Sequence, residues 1–182
     1  MVADDEALDV LFFWWQAGPA RWFAKDDDFD ADIKARFADL HRRASAGTCD
    51  AWAETREGML ALILVLDQFS RNLGRGTPAA FANDPKALEL ARIAVGRGDD
   101  RAFPVEARAF FYLPFMHAES LADQERCVDF CRVGCTRDTY TFALEHMDIV
   151  RRFGRFPHRN AVLGRRSTPA ELAYIESGGF SG

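Results

Sequence analysis

Apolar positions recur along the chain with the period of a helix. Leu8, Leu11, Phe12 and Trp15 fall at i, i+3, i+4 and i+7 and predict one face of a first helix that stops at Gly18-Pro19. Ile33, Phe37, Leu40 and Ala44 mark a single stripe of a second helix over 30–46, closed by Gly47. A third helix over 54–73 contains the apolar run MLALILVL at 59–66. A helix that is apolar all round belongs inside a core, so this one is predicted to be central. Its polar residues gather at its C-terminal end, in LDQFSRN.

The second half repeats the pattern. NDPKALELARIAVGRG predicts a fourth helix with Asp84 as N-cap, Pro85 at the first position and Gly98 as the stop. AFFYLPFM predicts a buried fifth helix over 105–117, kinked at Pro114. Ser120 with Asp123 resembles a capping box for a sixth helix over 121–133, and a seventh covers 138–153. Thr168-Pro169-Ala170-Glu171 opens a last short helix, and 177–182, with GGFSG, is expected to fray. No stretch alternates as a strand does. The expected architecture is one all-α domain over 1–182 with about seven to nine helices, built from stacked antiparallel hairpins.

Composition changes this picture little. With 182 residues, 48% of them hydrophobic, the chain buries a core without a disulfide or metal staple. A net charge of −5 argues against a general nucleic-acid binder. The acidic start MVADDEALDV is unlike a secretory signal, and the longest apolar runs, eight residues each, fall far short of a membrane span. A cytoplasmic location is therefore expected, with no membrane partner, and with Cys49, Cys127, Cys131 and Cys135 reduced. The last three lie at i, i+4 and i+8, a packing stripe and not the C-x-x-C spacing of a metal site.

Four groups of residues together look familiar. They are FFWW with RWFAKDDDFD, LDQFSRN (66–72) with RGTPAAFANDPKAL (75–88), FFYLPFMHAE (110–119) with LADQE (121–125), and ALEHMDIVRRFGRFPHRNAVLGRRSTPAE (143–171). In combination they resemble a bacterial family catalogued as domain of unknown function 924. The resemblance covers nearly the whole chain and implies an all-helical, tetratricopeptide-repeat-like array. It implies no activity, and the cysteine set is not part of it.

Charge points to the candidate chemistry. Residues 1–32 carry nine acids against two bases, and 151–166 carry six arginines and no acid. The two ends are expected either to attract each other or to leave the basic loop free for an anion. Asp67, Gln68, Arg71 and Asn72 project within one turn at the end of the central helix, and an Asp beside an Arg orients it toward a carboxylate or phosphate. His117 and Glu119 close the fifth helix. Arg155, His158, Arg159 and Asn160 stand in a loop anchored by Phe153, Phe156 and Leu163. His146 lies mid-stripe on an apolar face, where a core histidine is the ordinary reading.

These three polar groups are expected to meet, since burying each alone is costly. Arg71, Arg155, His158 and Arg159 would then line an anion pocket. No metal or cofactor is expected: the histidines lack the H-E-x-x-H spacing, and no phosphate loop, G-x-S-x-G elbow or dinucleotide fingerprint occurs. A binding module for a small anionic ligand or peptide is the leading reading. A hydrolase or transferase using His117 or His158 with Glu119, Asp123 or Asp67 is the alternative, and a scaffold without a ligand site the third. Oligomeric state and the assignment of any catalytic residue stay open.

Overall fold

A computed structural model describes residues 3–180. Among them the chain forms nine helices and no strand. They are α1 (Asp5–Ala17), α2 (Pro19–Trp22), α3 (Asp27–Ser45), α4 (56–74), α5 (Asp84–Arg97), α6 (Val105–Met116), α7 (Leu121–Gly134), α8 (Arg137–Phe153) and α9 (Pro169–Glu176). Helix α4 is central: it packs against α1, α3, α5 and α6, while α5 packs on α6, α6 on α7 and α7 on α8. Its run at 59–66 is at most 1% exposed throughout. No helix is long and apolar enough to cross a membrane among the described residues.

Helix α1 corrects the predicted face. Ala7, Val10, Phe13 and Trp14 are buried, whereas Leu8 and Phe12 are exposed. LFFWW is apolar around most of a turn, so the spacing fits two faces. The deciding contacts are tertiary: Phe13 and Trp14 join Trp22, Phe29, Phe37, Phe69 and Phe110 in one aromatic cluster. The stripe of α3 is buried as expected. The four cysteines are free thiols, with Cys127 and Cys131 fully buried as packing residues.

Two caps differ from expectation. The N-cap of α5 is Asn83, and Asp84 is the first helical residue, its carboxylate turned toward arginines from elsewhere. Ser120 caps α7 without a side-chain bond, and Asp123 accepts from Arg92 at 2.8 Å instead.

The corner between α6 and α7 is held by Gln124. Its amide donates to the carbonyls of Met116 and Ala118 at 2.6 and 2.7 Å, taking up acceptors that the end of α6 leaves orphaned. His117 sits between those two carbonyls in the chain, so this clamp fixes the histidine's backbone. Gln124→Ala is expected to cost about 1–3 kcal/mol, the price of leaving buried acceptors unmade. Denaturant unfolding measures it, and a loss below about 0.5 kcal/mol would show that the clamp is redundant.

Candidate functional site

Helix α4 does not run evenly to its end. Arg56–Leu64 is α-helical, Val65–Phe69 forms a π-helical turn, and Ser70–Gly74 returns to α geometry. A π-turn within an α-helix is a local device often found at functional sites. Here it carries two polar residues, Asp67 and Gln68, both buried. Phe69 in the same turn is anchored in the aromatic cluster by Trp14 and Phe37.

Asp67 is 1% exposed and collects three partners. Its Oδ1 accepts from His117 Nδ1 at 2.8 Å and lies 3.2 Å from Arg71 Nη1, and its Oδ2 accepts from Gln68 at 2.6 Å. Burial opposes its charge, but Arg71 and then His117 and Gln68 outweigh burial, so the carboxyl is held well below its ordinary range. Arg71 also grips Asp84 with both terminal nitrogens, at 3.1 and 3.2 Å. Burial, then the charge of Arg71, pushes the His117 imidazole below its usual range despite Asp67. The ring is therefore neutral near pH 7, with Nδ1 donating and Nε2 making no hydrogen bond among the described residues.

The basic loop completes the network. Arg159 Nη1 donates to Asp84 at 3.3 Å and to the His117 carbonyl at 3.1 Å. Its guanidinium lies between two rings, 4.6 Å from the centroid of Phe81 and 4.5 Å from that of Phe156. Its Nε is buried without a partner, and Nη2 makes no hydrogen bond among the described residues. Burial, with the nearby charge of Arg71, brings the group down to about 10, so it stays protonated at neutral pH. The loop is latched by Glu119, which accepts from the backbone N–H of Phe156 at 2.8 Å and from Arg165 at 2.5 and 2.9 Å. Arg165 passes the latch on to Asn160, and Asn160 to Ser167.

The end of α4, the His117–Glu119 corner and the loop at 155–160 thus meet in space. Residues 10–179 match the family described as bacterial protein of unknown function (DUF924). The chain belongs to that family. It is also similar to the solved structure of a protein of unknown function, ATU0120, from Agrobacterium tumefaciens. That likeness is 47% in sequence, spans 96% of this chain and 98% of the other, and has a TM-score of 0.92. No curated protein matches.

Within this DUF924 chain the expected site residues divide. Asp67, Gln68, Arg71, His117 and Arg159 form the network, and Glu119 and Asn160 brace it from the loop side. Asn72 turns away and donates to Asp30 at 2.7 Å. Arg155 also leaves it: the side chain is bound by both oxygens of Glu171, at 2.6 and 2.8 Å, and by the Arg166 carbonyl. That bond, with the Thr168 N–H, takes Glu171 down to about 2. Arg155 therefore ties the loop to α9. The basic loop does not neutralise the acids of residues 1–32: its Arg155, Arg159 and Arg165 pair with Glu171, Asp84 and Glu119, while Asp30 binds Arg75 and Glu6 binds Arg43.

Two residues outside the expected set prove central. Asp84 bridges Arg71 and Arg159, and Arg165 locks Glu119. The NDP triplet holding Asp84 reads locally as a helix start, which conceals the wider role of the carboxylate. Two clefts, of about 330 and 310 Å³, lie away from the network. The first is apolar, between Phe12, Leu60 and Phe103. The second has His41 and Ser70 at 2.8 Å, but the Ser70 hydroxyl is also 2.6 Å from the Leu66 carbonyl, the back-bond of an ordinary helical serine. No group of three or more His, Cys, Asp or Glu suited to a metal occurs among the described residues.

Proposed function

We propose that the network recognises a small anion, a carboxylate or a phosphate, through Arg159. The observation that carries this reading is the unpartnered edge of the Arg159 guanidinium. Nε and Nη2 point along one side of that group and form the fork that binds two oxygens of an anion at once. In this chain Arg71, Arg155 and Arg165 have their forks filled by carboxylates, and Arg159 does not. Its position between Phe81 and Phe156 holds the plane of the fork still, so little side-chain freedom is lost on binding. The neighbouring His158 supports the reading, because its Nδ1 is also buried without a partner. A scaffold needs neither loose end.

Thermal unfolding in inorganic phosphate, acetate and malonate, against sodium chloride at equal ionic strength, tests it. At 100 times its dissociation constant a ligand stabilises by about 2.7 kcal/mol, a rise in Tm of roughly 5 °C or more for a chain of this size. Arg159→Lys keeps the charge and removes the fork, and is expected to abolish the rise. An equal rise in that variant, or none with any of the three anions in the wild type, would overturn the proposal.

The Asp67–His117 pair favours a second reading, acid–base catalysis on the bound anion. Asp67 fixes the imidazole with Nδ1 donating, which leaves the Nε2 lone pair as a base. His117→Asn retains a donor toward Asp67 and lacks that lone pair. It separates the readings, since anion-induced stabilisation survives in it and turnover does not.

A further inference from the structure

After α9, residues 177–180 turn back onto the body of the protein. Gly178 takes a left-handed φ of +80°, and a Cβ on Gly179 would stand 2.5 Å from the ring of Tyr174. These two glycines let the chain turn over Tyr174, whose hydroxyl accepts the Phe180 N–H at 2.9 Å. The Phe180 ring then lies edge-on to two imidazoles, 4.6 Å from His146 and 5.3 Å from His158. Phe156 forms the floor, 5.5 and 5.6 Å from the same two rings.

The nitrogens of this seat do not match its occupant. His146 Nδ1 bonds the Phe142 carbonyl at 2.8 Å. A carbonyl only accepts, so Nδ1 carries the proton and Nε2 presents a lone pair. That lone pair makes no hydrogen bond among the described residues, although His146 is only 7% exposed. His158 makes no hydrogen bond through either nitrogen among the described residues, and its Nδ1 is buried. Burial before all, with nearby positive charge on both, keeps His146 and His158 neutral, at about 3 and about 4. A phenyl ring fills such a seat by shape and satisfies none of its polar atoms. His158 Nδ1, buried and left this way, calls for an explanation.

We propose that His146, Phe156 and His158 form a binding site for an aromatic ring bearing a hydroxyl or N–H group, and that Phe180 is its internal occupant, displaced when such a ligand enters. His146 Nε2 accepts from the ring's donor, and Phe156 supplies the apolar floor. The Arg159 guanidinium also lies 4.5 Å from the Phe156 ring, which places this seat next to the anion fork, so one ligand carrying both a ring and an anion would engage both. The ring site does not depend on the anion reading, and its probes carry no charge.

The full chain with Phe180→Ala, titrated with phenol and with toluene, decides the matter. The two probes have nearly the same shape, and only phenol offers an O–H. Phenol is expected to raise the Tm of the variant at least twice as much as toluene at equal concentration, and to act more weakly on the wild type, where Phe180 competes. Adding His146→Phe should erase the advantage of phenol over toluene. Equal effects of the two probes on Phe180→Ala would reduce the seat to an apolar hole and overturn the proposal, as would no effect of either. The wild type gives an independent check by ¹⁵N NMR: phenol should shift the His146 Nε2 resonance as it becomes hydrogen-bonded, and an unmoved resonance at saturating phenol would also overturn it.

Discussion

Asp67→Ala is expected to cost about 3–5 kcal/mol, the range found when one partner of a buried ion pair is removed. The loss corresponds to a fall in Tm of at least about 6 °C for a chain of this length. Asp67 is the point where the π-turn, Arg71, Gln68 and His117 are joined. Without it Arg71 keeps Asp84, but His117 Nδ1 and the Gln68 amide lose their acceptors inside the protein. Because folding lowers the affinity of Asp67 for its proton, the carboxylate stabilises the fold fully above its ordinary value near 3.8, and the benefit disappears as pH falls through its lower folded value. The difference between wild type and variant should thus be full from pH 5 to 8 and smaller at pH 3. Urea unfolding at pH 7 and pH 3 measures both. A loss below about 1 kcal/mol at pH 7, or one that grows on acidification, would show that Asp67 does not organise the network.

Helices are legible in the sequence and charge partners are not, and the reason is physical. Helix formation is read from residues three or four apart, so the run at 59–66 and the stripe of α3 identified the core directly. Where apolar residues surround the helix, as in LFFWW, spacing loses its power and the buried face is chosen by neighbours from α2, α3, α4 and α6. The π-turn was hidden for the same reason, since a helix that is apolar all round shows no phase to be shifted. Convergence of three polar groups followed from the cost of burying each alone. Which arginine retains a free fork did not, because Arg155, Arg159 and Arg165 differ only in the partners that the fold assigns, 16, 75 and 46 residues away along the chain.

Trp14→Ala is expected to be as damaging as Asp67→Ala, and Trp14→Phe nearly harmless. Trp14 is fully buried and touches Trp22, Phe29, Phe69 and Phe110, with ring centroids 5.6 to 6.1 Å apart. Emptying such a position costs about 3–5 kcal/mol in lost contacts and cavity. The indole, however, carries a liability: its Nε1 is buried and has no acceptor. An unmade buried donor costs about 1–3 kcal/mol, so phenylalanine regains in relief much of what it loses in volume. The expected loss for Trp14→Phe is below about 1 kcal/mol, with the bond from Trp22 Nε1 to the Trp14 carbonyl, 2.6 Å, retained because it uses only the backbone. Urea midpoints with unchanged slopes would give both values. Equal losses in the two variants would mean that volume alone sets the cost and that the indole N–H is no burden. The position also bears on the site, because Trp14 packs on Phe69 and Phe69 closes the π-turn that presents Asp67. Trp14→Ala should therefore weaken any anion-induced stabilisation along with the fold, while Trp14→Phe leaves it intact.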